Sequence, residues 1–272
     1  MVKKMSETIG FIGGGNMAEG IIRGLLEAGR IEAADIAVRE VLPERDIYLK
    51  ERYHTQSVGT LAELARRSEV IVLAVRPQDA QKVVEELGDV LETRHILVSI
   101  CAGIQIVKLA QWVGKEVRIA RIMPNTMIES GRGFSALAVD EKFSKEEEEK
   151  VQLITDSIGK TLLLPEASFD AFTATSCAGP EWLILFAAAL IDAGVETGLS
   201  RADAKAIVVE NLIATGTVLE QTKKHFYQLT DEMNTPGGIG IAGFHTFASG
   251  GLHGITMDAV NAAYERTRAL GK

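Results

Sequence analysis

Gly13-Gly14-Gly15-Asn16-Met17-Ala18 puts small residues at a spacing that chemistry can use. Within it, Gly13-x-Gly15-x-x-Ala18 fits the pattern G-x-G-x-x-G/A. The first glycine permits a tight turn, the second lets backbone approach a pyrophosphate, and the third small residue lets a helix pack closely on a strand. The phosphates would sit on the free N–H groups and positive dipole end of that helix. The pattern is weak by itself. Its setting strengthens it: Thr8–Ile12 before it reads as a strand, Ala18–Ala28 after it as a helix, and Ile36–Arg39 as a second strand. Gly13, Gly15, Asn16, Met17 and Ala18 are therefore expected to bind a dinucleotide, against the alternative of a glycine-rich turn that only packs.

The choice between NAD and NADP is read at the end of the second strand. An acidic residue there holds a ribose 2′-OH, and an arginine there holds a 2′-phosphate. Arg39 and Glu40 are both present, so both cofactors stay open. Arg45 is a further phosphate candidate, but the expectation is a solvated helix residue.

These residues need a scaffold. Strand-like runs recur at Thr8–Ile12, Ile36–Arg39, Val70–Val75, Ile96–Ile100 and Val117–Ile122, with helical patterns such as Ala80–Leu87 between them. Such alternation predicts an α/β fold with a largely parallel, doubly wound sheet. Val70–Val75 is apolar throughout, as a strand buried on both faces should be. Phe134–Val139 and Thr161–Leu164 are expected to finish the sheet. Ser144 followed by Glu147 reads as a capping box that opens a helix with an acidic, solvated first turn. Beyond residue 165 the strand signal stops. Phe169–Leu199, Arg201–Lys224 and Met257–Leu270 read as helices, which predicts a nucleotide-binding domain over 1–165 and an all-helical domain over 166–272.

Composition narrows the function. The chain has 272 residues, is 46% hydrophobic and 24% charged, and carries a net charge of −8 without a basic cluster. That is a globular composition, and it lacks the cationic surface that nucleic-acid backbones require. Cys101 and Cys177 lie far apart and form no metal or disulfide motif, so a reducing cytoplasm and no metal are expected. Trp182–Ile191 is the longest apolar run, about half of a bilayer crossing, and is expected to be a buried core helix, with no membrane partner.

With Gly13–Ala18 in place, further blocks follow in order along nearly the whole chain. They are Ala74-Val75-Arg76-Pro77-Gln78, Ser99-Ile100-Cys101-Ala102-Gly103-Ile104, Arg121-Ile122-Met123-Pro124-Asn125-Thr126, Gly179-Pro180, Asp192-Ala193-Gly194-Val195 and Thr235-Pro236-Gly237-Gly238. The sequence resembles the pyrroline-5-carboxylate reductase family, the last enzyme of proline biosynthesis. The resemblance implies a Rossmann domain followed by a helical dimerisation domain, with active sites where two subunits' helices interlock and further assembly left open. It implies a small-molecule substrate, a cyclic imine, reduced by hydride from NADPH or NADH. Ala74, Val75, Arg76 and Pro77 end the central strand at a ligand-binding edge; the family usually has Lys at Arg76. Asn125 would lie near the nicotinamide and the substrate, or else be a turn residue capping its own backbone. The N–H groups of Gly237 and Gly238 would take the substrate carboxylate.

The departures gather where substrate would sit. The family's glycine loop continues with two threonines, where this chain has Ile239 and Gly240. The first of those threonines usually meets the ring nitrogen, so Ser176, Thr235 or a water is expected to serve as proton donor. Ala178, Ala188 and Met127 replace the family's Ser, Glu and Pro. Cys177 is expected to pack, as are the five histidines unless they lie on the surface; Trp182 either walls a pocket or anchors its helix. A reductase of the same fold for another cyclic imine or imino acid, or a non-catalytic dinucleotide-binding relative, stays open beside proline formation.

Overall fold

The computed structural model describes Met5 and residues 8–270. Eight strands form one sheet: β1 (Ile9–Ile12), β2 (Ile36–Arg39), β3 (Gln56–Ser57), β4 (Val70–Leu73), β5 (Ile96–Ser99), β6 (Arg118–Pro124), β7 (Gly133–Val139) and β8 (Gly159–Leu163). Between them run α1 (Asn16–Glu27), α2 (Pro43–Tyr53), α3 (Leu61–Arg67), α4 (Pro77–Gly88), α5 (Ile106–Val113) and α6 (Lys145–Asp156). The strand order is β3-β2-β1-β4-β5-β6-β7-β8, and the first six strands are parallel. This is the doubly wound order in which a dinucleotide binds where the strand order reverses. β7 turns back antiparallel to β6 and carries β8 parallel to itself.

Helices cover both faces because the strands are apolar on both. On one face, Phe11, Val72 and Val98 pack with Ile21, Ile22 and Leu25 of α1 and Val151 and Ile154 of α6. On the other, Ile71, Leu73 and Leu97 pack with Leu64, Ala80, Val84, Leu87 and Leu109. Local signals set the helix ends. Pro43 and Pro77 stand in the first turns of α2 and α4, where a missing N–H costs nothing. The capping box of α6 is complete: Ser144 Oγ accepts from the Glu147 N–H at 3.2 Å, and the Glu147 carboxylate accepts from the Ser144 N–H at 2.8 Å. The short strand β3 escapes periodicity because both its residues, Gln56 and Ser57, are polar and exposed.

The remaining helices are α7 (Phe169–Phe172), α8 (Gly179–Glu196), α9 (Arg201–Gln221), α10 (Phe226–Met233), α11 (Ile239–Ser249) and α12 (Leu252–Leu270). The chain divides into two compact units, one running to Cys177 and including the end of α12 from Tyr264, the other Ala178–Ala263. The expected single helix from Phe169 is interrupted: a π-helical turn, Thr173–Cys177, separates α7 from α8. The Ala178-Gly179-Pro180 sequence gives the reason, since proline has no N–H to continue the preceding ladder. The expected buried core helix is also corrected. In α8 Leu183 is 60%, Ile184 65% and Leu185 71% exposed, so the single chain leaves this apolar face without a partner. By length and composition alone, Glu166–Glu196 is apolar enough to cross a membrane.

Gly159 closes the β7–β8 junction. Its φ is +145°, and an added Cβ would lie 1.9 Å from the Gly133 carbonyl oxygen. Gly159→Ala should therefore lower unfolding free energy by about 3 kcal/mol or more. Urea titration followed by circular dichroism checks this.

Candidate functional site

The carboxyl ends of the parallel strands form one edge, and the expected cofactor residues lie along it. β1 pairs with both β2 and β4, so the strand order reverses beside it. The glycine loop leaves β1 there, and Ala74–Pro77 leaves β4. The Gly13 N–H donates to the Arg39 carbonyl at 3.0 Å, and the Ala74 N–H donates to the Ile12 carbonyl at 2.9 Å. Gly13 has φ +93°, and a Cβ there would stand 2.7 Å from the Ala74 carbonyl oxygen. A Cβ on Gly14 would meet Leu49 Cδ1 at 2.4 Å. These two glycines serve close packing.

Gly15 differs. Its φ is −63°, which any residue adopts, and a Cβ there would have no atom within 4 Å. It caps α1, and no side chain caps the helix in its place. The first N–H groups of a helix have no intrahelical partner, and those of Asn16 and Met17 begin α1 directly after Gly15. Ala18 is buried and seats the helix on the sheet. Open space, unpaired donors and the positive helix end together fit a pyrophosphate.

Side chains from β2 and α2 brace the loop. Glu40 Oε2 accepts from the Gly14 N–H at 2.6 Å, and its Oε1 accepts from the N–H groups of Val41 at 2.7 Å and Leu42 at 2.9 Å. Arg45, expected in solvent, is instead drawn in. Its Nε donates to the Gly14 carbonyl at 2.5 Å, its Nη2 meets Glu19 Oε2 at 2.5 Å, and its guanidinium lies 5.0 Å over the Tyr48 ring. Glu19 also accepts from the hydroxyls of Tyr48 at 2.9 Å and Tyr53 at 2.7 Å. Burial opposes the charge on Glu19, but bonds from Tyr53, Arg45 and Tyr48 outweigh it and hold the carboxyl below its ordinary range. Burial and the Glu19 carboxylate push the Tyr53 hydroxyl up to about 12. Arg39 Nε is buried and has no hydrogen-bond partner among the described residues. Arg76 is exposed and pairs with Asp79 at 2.9 Å.

Further along the edge, Asn125 follows β6. Its Oδ1 accepts from the Met127 and Phe134 N–H groups, both at 3.2 Å, which makes it the cap of a turn. Its Nδ2 lies 3.4 Å from both the Ser176 carbonyl and Ser176 Oγ. The structure thus joins two expected site residues that are far apart in sequence. The π turn carrying Ser176 also sets Cys177 Sγ 3.6 Å from the Pro124 carbonyl. Burial raises the Cys177 thiol to about 11, so it is uncharged at neutral pH. His95 is buried with its ring nitrogens on Glu92 and Ala65 backbone, a packing arrangement.

In the helical unit, Thr235–Gly238 is a turn leading into α11. Gly237 has φ +68°, and a Cβ on Gly238 would meet Thr235 Oγ1 at 2.4 Å, so both glycines are required. Gly238 caps α11 without a side-chain bond, and its own N–H donates to the Thr235 carbonyl at 2.9 Å. Ile239 is 97% exposed at the start of this helix.

Sequence reasoning missed one ion pair with a buried arginine. Arg121, 3% exposed, donates to Glu166 Oε1 at 2.7 Å and lies 4.7 Å over the Phe169 ring. The same carboxylate oxygen accepts from the Ile106 N–H at 2.7 Å. An arginine between the apolar residues Ala120 and Ile122 of β6 was its only trace in the sequence. No group of three or more His, Cys, Asp or Glu among the described residues is placed to hold a metal.

Comparison with known proteins agrees with this architecture. A family model described as pyrroline-5-carboxylate reductase dimerisation matches residues 166–270, and one described as NADP oxidoreductase, coenzyme F420-dependent, matches residues 8–103. Pyrroline-5-carboxylate reductase of Arabidopsis thaliana is 35% identical over 266 residues, covering 97% of this chain and 95% of the relative. That of Synechocystis is 33% identical, covering 98% and 100%. The crystal structure of Plasmodium falciparum pyrroline carboxylate reductase with NADP bound superposes with a TM-score of 0.89 at 30% identity, over 99% of this chain and 100% of that one. Likeness at this level from end to end means that the chain belongs to the pyrroline-5-carboxylate reductase family.

Proposed function

We propose that this chain is an NAD(P)H-dependent oxidoreductase acting on a C=N bond, reducing 1-pyrroline-5-carboxylate to L-proline in the last step of proline biosynthesis. The observation that carries the reading is the open cradle at Gly15, set at the switch point of a chain that is similar over its full length to reductases of that name. When bound, the nicotinamide supplies the hydride that adds to the imine carbon. The protein then has to hold the dinucleotide, orient the substrate and deliver a proton to the ring nitrogen. Gly13–Ala18 takes the pyrophosphate. Ala74–Pro77 borders the same edge. Asn125 and Ser176 serve the nicotinamide end, which their mutual contact at 3.4 Å supports. The turn at Gly237 and Gly238 takes the substrate carboxylate, although the Gly238 N–H donates to the Thr235 carbonyl at 2.9 Å in this chain by itself. Ser176, Thr235 or a bound water delivers the proton.

Ile239 favours a second reading. It is fully open to solvent where the family has threonine, so this chain brings no hydroxyl to the first position of α11. A reductase of the same fold for another cyclic imine fits that change. Oxidation of NADH and NADPH with pyrroline-5-carboxylate, then with a panel of other cyclic imines, separates the two. Proline formation supports the first reading; turnover confined to another imine replaces it with the second.

The helical residues from 166 form the homodimerisation domain. The exposed apolar side chains of α8, α9 and α11 support this, and so does the description of the family model that matches there. The same apolar surface could meet a lipid bilayer, which a dimer in aqueous solution would argue against. Cytoplasmic location fits two free thiols, Cys101 and Cys177.

Three outcomes test these roles. Gly15→Val should keep the fold, because its backbone angles suit valine and the space is empty, while NAD(P)H affinity falls about tenfold or more, measured by calorimetry. Ile239→Thr should raise kcat on pyrroline-5-carboxylate by about tenfold, a part of the ~10²–10⁴ that a general acid contributes. Gly240 is best left alone, since a Cβ there would lie 3.0 Å from Asn234 Oδ1. Light scattering at micromolar concentration should give a dimer or a multiple of it; a monodisperse monomer refutes the assembly.

A further inference from the structure

We infer that Arg121 is a positioning residue: acting through Glu166 and Phe169, it holds the Ser176 hydroxyl at Asn125. This role rests on the reading of Asn125 and Ser176 as the nicotinamide end of the site, and adds to it a residue that acts at one remove.

The contact between Asn125 and Ser176 is weak by itself. Asn125 commits its Oδ1 to the Met127 and Phe134 N–H groups, and its Nδ2 reaches the Ser176 carbonyl and Oγ only at 3.4 Å. Hydrogen bonds of that length hold little. Ser176 therefore depends on whatever fixes the segment that carries it, which starts at Glu166 and runs through α7 into the π turn. The start of that segment is fastened firmly. Arg121 Nη1 donates to Glu166 Oε1 at 2.7 Å, a charge-assisted bond, and the guanidinium lies 4.7 Å over the ring of Phe169, the first residue of α7. The Ile106 N–H donates to the same carboxylate oxygen at 2.7 Å and keeps Glu166 in place. Thr173 Oγ1 donates to the Phe169 carbonyl at 2.7 Å and carries the constraint from α7 into the π turn. Arg121 and Asn125 lie about 13 Å apart at strand spacing, so one stretch of backbone holds the segment at both ends.

Stability alone does not call for an arginine here. Residues two apart on a strand share a face, and Arg121 shares its face with Met123, which packs with Phe169 and Phe172. A methionine at 121 would continue that packing without burying a charge, and apolar replacement of a buried pair is often neutral or stabilising. What the arginine adds is direction. A planar group with one bond and one stacking contact fixes both where α7 starts and how it is turned.

The charge-free double variant Arg121→Met with Glu166→Gln separates positioning from stability in the full chain. It should unfold in urea at the parent's midpoint or above it. It should bind NAD(P)H within about twofold of the parent, because the glycine loop is untouched. On the imine that the parent reduces, kcat should fall about tenfold or more with KM little changed. Backbone amides of residues 169–177 should exchange with deuterium faster than in the parent, and those of α1 at the same rate. Arg121→Lys, which keeps the charge and loses the plane, should give an intermediate kcat. In a Ser176→Ala background, itself slower than the parent, the double substitution should cost no further rate, because residues acting as one unit are not additive. Parental kcat in the double variant or in Arg121→Lys overturns the inference. So does a kcat that falls only in step with the folded fraction, unchanged exchange at 169–177, or a multiplicative loss in the Ser176→Ala background. A parent chain that reduces no cyclic imine removes the reductase reading instead, and amide exchange then decides whether Arg121 fixes the segment.

Discussion

The backbone of Gly13 lies against the carbonyl of Ala74, and the rest of the cofactor edge depends on that approach. It is possible only because Gly13 has no side chain and takes a left-handed φ. The same approach brings the exits of β1 and β4 together, so the loop after β1 must open into the crevice where the strand order reverses. Glu40 and Arg45 then clamp Gly14 through its N–H and its carbonyl respectively. Each glycine in the run answers a different constraint: two remove clashes inside the protein, and the third leaves space for something outside it.

A second layer of fixed charge supports this edge from below. Buried Arg121 pairs with half-buried Glu166, and each has a further partner, the Phe169 ring and the Ile106 N–H. Such satisfaction is what makes a buried pair tolerable, because removing either partner would strand an uncompensated charge. The pair ties the exit from β8, at Glu166, to β6 at Arg121, three residues before Pro124 and the Asn125 turn. The π turn at Thr173–Cys177 follows directly, and π turns recur at functional sites. Here the turn delivers Ser176 to Asn125.

The helical residues obey another rule. α8 and α11 are apolar around most of their circumference, and a single copy of the chain does not cover them. An exposed apolar area of this kind is what a partner surface would cover, in line with the dimerisation family model that matches residues 166–270. Some charges of the helical residues pair locally, as Arg201 of α9 does with Asp192 of α8 and Lys224 with Glu232 of α10.

The sequence by itself determined the elements whose signal is local or periodic. The apolar run at Val70, the capping box at Ser144 and the spacing of Gly13, Gly15 and Ala18 are properties of neighbouring residues, so a doubly wound α/β domain followed by helices was legible, and so was the glycine loop between β1 and α1. The family blocks carried the chemistry as far as the cyclic imine. Tertiary structure decided what depends on residues distant in sequence. Glu40 and Arg39 are adjacent and opposite in charge, and nothing local tells which one faces the loop; the Gly14 N–H decided it from 26 positions away. Arg45 looked solvated on its helix until Glu19, Tyr48 and the Gly14 carbonyl surrounded it. Trp182–Ile191 looked like a core helix because apolarity records that a face is to be buried, not whether the covering surface belongs to the same chain.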